Sequence, residues 1–352
     1  MYRSRFNLRK VVAIAICLAG LLISGCDIFP EPDKTLDEPY GEEGAKLIKE
    51  VASKCDSYIN DFLQNSDFDR DEFAKMQDNI LSARNVKNLS INSDSSIIKI
   101  GLTSGAYVNW IIKSPDRYYE YDDNDKDMRS LATTMASQKP PIYSKPDLKT
   151  ALILAPLHSS EFLYGQDFDI LQNCIKSAGY SVTIIKDTVS VEYFRGKYLS
   201  QFGIIYIITH GNAEMHKGKM RSFLLTSTLY DDVIKSFDEN KNVLVRRSGK
   251  TYIAVTEEWI EPNLDLHNSF VFINSCYASA NFNFVDMFLL NGARAFVGWS
   301  KTKYIWNMYS TAESFFAEMG CYGSEFHEVT LPLVGVDGLV RDTRTGLPFY
   351  FY

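Results

Sequence analysis

The chain has 352 residues, 45% of them hydrophobic, enough for two domains or for one large domain with an appendage. Its formal charge of −7 argues against nucleic acid and anionic lipid surfaces as partners. Its histidines and cysteines show no metal-ligand spacing, which argues against a metal site built from them.

The predicted elements begin with a leader. Arg3, Arg5, Arg9 and Lys10 form a basic head, and residues 11–23 form an apolar run shorter than the ~20 residues that span a bilayer. Residues 1–25 therefore read as a signal peptide, ending in Ile23-Ser24-Gly25-Cys26. Residues 26–39 are acidic and contain Pro30 and Pro32, which suits a stiff tether. No second apolar stretch reaches spanning length.

Residues 40–146 read as an N-terminal α+β domain or prodomain. Apolar residues from Leu47 to Leu63 recur on one face of a predicted helix over 44–63, with Cys55 inside the stripe. A second helix is predicted over 70–84, and residues 96–112 form two β-rich runs about a Thr103-Ser104-Gly105 turn. Charged residues over 116–129 read as a solvated loop or ragged helix, and Lys139-Pro140-Pro141 with Lys145-Pro146 marks a boundary. No residue of this region carries recognisable chemistry.

Residues 147–352 alternate strand and helix. Strands are predicted over 150–157, 180–186, 202–209, 269–274 and 293–299, with helices over 168–178, 191–199, 284–291 and 306–319. That order predicts an α/β fold, a parallel sheet with right-handed crossovers and helices on its faces. A long connection, residues 213–258, interrupts it. This stretch holds a basic loop (His216, Lys217, Lys219, Arg221), a helix near 231–237, and a hairpin of 243–247 with 251–256. A closing hairpin is predicted over 336–351.

Two of the strands end in reactive residues, one in His210-Gly211 and the other in Ser275-Cys276. Alone, a His beside Gly is turn chemistry, and a Cys after a strand is a small core residue. Each standing just past a buried parallel strand, they would share the carboxyl edge of one sheet, where ligands bind. That is the arrangement a thiol nucleophile and its base require. The small residues Ala278, Ser279 and Asn281 would let the chain turn into a helix whose positive end helps hold the thiolate. Gly211 lacks a Cβ, so its amide can approach a substrate carbonyl.

Other candidates are weighed on position. His158 also follows a strand, and is the second candidate for the base or for a substrate contact. His267 precedes its strand and belongs at the opposite edge, while His216 and His327 fall in polar loops. Residues 300–304, Ser300 among them, could line a pocket for the side chain preceding the scissile bond. A disulfide among Cys55, Cys174 and Cys321 is permitted by an oxidising exterior but not indicated.

Over roughly residues 150–301, a strand ending in His-Gly and a second ending in a Cys among small residues resembles the caspase-like cysteine peptidases. That group includes gingipains, clostripain, legumain and caspases. The Asn274-Ser275-Cys276-Tyr277-Ala278 setting differs from the Gln-Ala-Cys of true caspases, so aspartate specificity is not implied. The resemblance implies a hydrolase acting on peptide or protein substrates, with Cys276 as nucleophile and His210 as acid–base partner. It also implies an oxyanion hole from the Gly211 and Cys276 amides, and no metal or cofactor. Residues 23–26 resemble the bacterial lipoprotein cleavage box, which implies palmitate or another acyl group on Cys26 and a membrane-anchored place in the bacterial cell envelope. The rival expectation is a lipid-anchored binding or scaffold protein with this fold and no turnover. Residues 213–258 are then either an inert insertion or a lid, with activating cuts expected near 217–221 or at Arg246-Arg247.

Overall fold

The computed structural model describes residues 39–64, 70–91, 97–111, 146–161, 168–299, 308–309, 311–313, 315–317, 338–341 and 348–351. Cys26, Ser300, Cys321 and His327 lie outside them. Among the described residues no helix is long and apolar enough to cross a membrane.

Helices α1 (Glu42–Gln64) and α2 (Arg70–Leu81) lead into strands β1 (Val86–Ile91), β2 (Ile97–Leu102) and β3 (Tyr107–Ile111). The predicted stripe of α1 is its buried face, with Ile48, Val51, Ala52, Cys55 and Ile59 in the core. Then come β4 (Thr150–Pro156), the single turn α3 (His158–Glu161), α4 (Asp169–Ser177) and β5 (Ser181–Asp187). The helix expected over 191–199 is instead a 3-10 turn, Val191–Phe194, and the short α5 (Gly196–Leu199), broken at the extended Arg195. Gly196 sits so close to the carbonyl of Ile260 (2.6 Å from a would-be Cβ) that no side chain fits there without a shift of that backbone.

After β6 (Ile204–Ile208) the long connection forms β7 (Gly211–His216), β8 (Lys219–Leu229), α6 (Tyr230–Val233), β9 (Asn242–Arg247), β10 (Lys250–Thr256) and α7 (Glu257–Ile260). The chain then continues through β11 (Phe270–Asn274), α8 (Phe282–Leu290) and β12 (Ala295–Gly298), and ends in the paired β13 (Gly338–Arg341) and β14 (Pro348–Phe351).

A five-stranded sheet of order β12-β11-β6-β4-β5 is parallel throughout, so the chain is α/β as expected. Its central strands are apolar without alternation because both faces are covered. Ile205, Ile207, Val271 and Ile273 enter one core with Phe284, Val285 and Phe288 of α8. Ile204, Tyr206, Phe270 and Phe272 enter another with Leu171 and Ile175 of α4 and with Phe315 and Phe316. Strand order reverses between β4 and β6, and in open α/β sheets ligands bind at the carboxyl ends beside such a reversal.

The second sheet has seven strands in the order β1-β2-β3-β9-β10-β8-β7. It joins strands that precede the first sheet in sequence to strands that lie between β6 and β11, through a parallel pairing of Asn109 with Val245 and Trp110 with Arg246. Asp56 of α1 pins the seam, taking Arg246 at 2.6 Å and the Trp110 indole at 3.0 Å. The connection after β6 is therefore neither a loose insertion nor a flap. Its core residues Phe223, Leu225, Val243, Val245 and Ala254 are buried in the sheet.

Candidate active site

The site is set by strand register. β6 and β11 are neighbours, and their last pair is Ile208 with Asn274. The Thr209 N–H donates to the Asn274 carbonyl at 3.3 Å, carrying the pairing one step on. His210 and Cys276 each stand two residues past that pair, on strands about 4.8 Å apart. Both are partly exposed, as chemistry on a substrate needs.

His158 starts from β4, on the far side of β6, so two strand spacings (about 10 Å) separate its strand from that of Cys276. Its ring packs on Phe168 with centroids 5.0 Å apart. Next to it Ser159 donates through its N–H (2.6 Å) and hydroxyl (2.7 Å) to Asp187. Burial raises the Asp187 carboxyl, but these two bonds and the nearby His158 and Lys186 hold it below its usual range. The structure thus groups His158 with the β4–β5 edge, and His210 with Cys276.

The turn that bears Cys276 is tightly held. Asn274, wholly buried at the end of β11, donates to the Tyr206 hydroxyl (2.9 Å) and the Met308 carbonyl (2.7 Å), and accepts from the Trp299 indole (2.6 Å). On the other side of Cys276, the Ser279 N–H donates to the Trp299 carbonyl at 2.9 Å and its hydroxyl to Gly298 at 3.1 Å. Between these anchors Tyr277 is forced into the left-handed region at φ 58°. Leu157 (φ 56°) and Asp187 (φ 60°) share that conformation at the ends of β4 and β5. Such backbone is costly for residues with a Cβ, and these three residues that adopt it stand along the carboxyl edge.

Gly211 explains itself by contact. A Cβ there would collide with Ser275 Oγ, and would lie 2.7 Å from the Phe223 carbonyl oxygen and 3.2 Å from that of Cys276. Only a glycine lets β7 start against the Ser275-Cys276 backbone. The two residues expected to supply oxyanion donors are therefore packed backbone to backbone.

Several expectations are corrected. The helix after Cys276 begins only at Phe282, capped by the Asn281 side chain, so its positive end does not lie at the thiol. The five residues between belong to the anchored turn. The basic loop is a hairpin: His216 pairs with Lys219 across Lys217 (φ 48°) and Gly218 (φ 76°), the two left-handed positions of a tight hairpin turn. His216 is consequently half-buried rather than fully solvated. Its Nδ1 lies 2.9 Å from the Tyr107 hydroxyl, which itself accepts from Arg221, so the tyrosine proton points to Nδ1. Burial, with Arg221 close by, pushes His216 down to about 4.

Arg221 is buried too, bound to Glu214 at 2.8 Å, while Lys99 reaches the same carboxylate at 3.1 Å. This cluster, which no local sequence pattern announces, ties β2 and β3 to β7 and β8. Arg246 and Arg247 lie within β9, engaged by Asp56 and by the Ile111 carbonyl, so they offer no exposed cleavage site. The Lys217-Gly218-Lys219 turn is exposed. Cys55 and Cys174 are buried, and burial pushes the Cys55 thiol up to about 12. His267 is exposed at the amino edge of β11, as its position predicts.

Sequence reasoning missed Glu257. At the start of α7, its carboxylate accepts from the Ser222 N–H (3.2 Å) and the Asn281 side chain (3.0 Å), and burial raises it to about 7. Nothing in the local pattern separates it from its neighbour Glu258, an ordinary surface acid.

No protein-family model matches the chain, and no curated protein matches it in sequence.

Proposed function

We propose that the chain is a caspase-like cysteine endopeptidase, held at a membrane by lipid on Cys26, that hydrolyses peptide bonds through Cys276 and His210. The observation that carries this reading is register: a thiol and an imidazole on adjacent parallel strands, two residues past the same pair, with Gly211 pressed against the Cys276 backbone. In the reaction the Cys276 thiolate attacks the scissile carbonyl carbon, forming a C–S bond. The carbonyl oxygen takes up the displaced electron pair, and the Gly211 and Cys276 N–H groups stabilise it, each worth up to ~3–4 kcal/mol of barrier. The C–N bond then breaks, and the His210 imidazolium gives its proton to the leaving amine. Water deprotonated by His210 cleaves the thioester and restores the thiol.

The test is hydrolysis of a peptide panel, together with labelling by a thiol-directed peptidyl probe. Cys276→Ala and His210→Ala should each remove nearly all turnover, because a dyad acts as a unit, and both should keep their fold by circular dichroism. Loss of activity in His158→Ala with retention in His210→Ala would reassign the base. A wild-type chain that neither cleaves nor labels would be a scaffold with this architecture.

A further inference from the structure

The turn carrying Cys276 ends at Asn281, and this side chain does more than cap α8. Its Oδ1 accepts from the Asn283 N–H at 3.1 Å, while its Nδ2 donates to the Met220 carbonyl at 3.1 Å and to Glu257 Oε1 at 3.0 Å. Met220 belongs to β8, which pairs with β7 where that strand leaves His210, Gly211 lying opposite Leu224. Glu257 completes the link. The β8–β10 ladder ends at the pair Phe223 and Thr256, and the next N–H, of Ser222, goes to Glu257 Oε2 at 3.2 Å instead of to a strand carbonyl. One carboxylate thereby joins the last residue of the Cys276 turn to the strand pair that begins at Gly211.

A residue needed only for packing has no reason to be an acid there. A buried carboxylate opposes folding, and Glu258 next to it adds to the penalty. Two donors aimed at its two oxygens suit the ionised group. Resting on the peptidase reading of Cys276, we propose that Glu257 is a positioning residue. Through Asn281 it fixes the nucleophile's turn against the Gly211 strand, and so sets the distance between the thiol and the oxyanion donors.

The experiment compares wild type, Glu257→Gln, Asn281→Asp and the double variant. Glu257→Gln turns an N–H toward the Asn281 amide, and Asn281→Asp keeps the cap but sets carboxylate against carboxylate. Each should lower kcat about tenfold with KM little changed, since misplacement at this distance weakens only the transition state. The double variant reverses donor and acceptor and should recover most of the loss. A purely structural acid would destabilise when neutralised, whereas Glu257→Gln should unfold no earlier than wild type at about pH 8.

Alkylation of Cys276 by iodoacetamide, quantified at that residue by mass spectrometry, reads the same geometry without any substrate. If wild type cleaves no peptide but alkylation slows in both single variants and recovers in the double, the positioning role stands and the peptidase reading falls. Equal alkylation rates in all four proteins, or a double variant no better than the worse single, overturns the positioning role, whatever is found for hydrolysis.

Discussion

Replacing Gly211 with alanine loads the tightest contact of the site. Ser275 Oγ can swing away from the new methyl group, but the Phe223 carbonyl at 2.7 Å is fixed in β8. Reaching an ordinary carbon–oxygen separation of about 3.3 Å requires β7 to retreat by about 0.6 Å at its first residue. Overpacking of this size costs about 1–3 kcal/mol of stability. The larger effect is on the reaction, because the Gly211 amide moves with its strand. Losing one oxyanion donor reduces kcat by about 10²–10³. Gly218→Ala is the control: that residue is left-handed at φ 76° with nothing within 4 Å of a Cβ, so it should cost about 1 kcal/mol of backbone strain and leave kcat unchanged. The assay is kcat per titrated active site, alongside urea unfolding of both variants. Wild-type kcat in Gly211→Ala, or an equal loss in Gly218→Ala, would refute the argument from contact.

Two further outcomes follow from other parts of the chain. Metabolic labelling with a fatty-acid analogue should tag wild type and not Cys26→Ala, and equal labelling of both would dispose of the lipid anchor. His216, lowered to about 4 from an ordinary 6.5, leaves the unfolded chain binding more protons between those values, so its contribution makes stability rise with pH through that window, by about 1–2 kcal/mol after allowing for its partial exposure. Glu257, raised to about 7 from 4.5, acts with the opposite sign and makes stability fall as pH rises through its own window. Urea titrations across this range should show His216→Gln losing the rising component and Glu257→Gln losing the falling one; profiles parallel to wild type would contradict both assignments.

What could be read from the sequence follows how far apart the interacting residues are. β4, β6, β11 and β12 are legible because a strand covered on both faces is written as an uninterrupted apolar run. The β9–β10 hairpin is legible because Ser248-Gly249 supplies its turn. The placing of His210 and Cys276 at the ends of neighbouring strands needed only the rule that parallel strands end at one edge. The buried Lys99, Glu214 and Arg221 were out of reach, since polar residues near a turn resemble a loop until the partner, 115 positions away for Lys99 and Glu214, is placed beside them. The same holds for Glu257 and Asn281, whose roles depend on an N–H that the β8–β10 ladder leaves over. The expectation of a helix's positive end at the thiol failed because the left-handed Tyr277 is not written in residue type: tyrosine is a poor choice there, and tertiary anchors impose it.

The pairing of β3 with β9 also bears on what happens if the chain is cut. A protease acting between residues 112 and 145 would cut the backbone between β3 and β4. Yet the two pieces would still share a seven-stranded sheet, the Asp56–Arg246 bridge and the buried Lys99–Glu214 contact. They would part only on unfolding. A nicked molecule would therefore behave as one particle, and SDS would release as two bands what native chromatography carries as one.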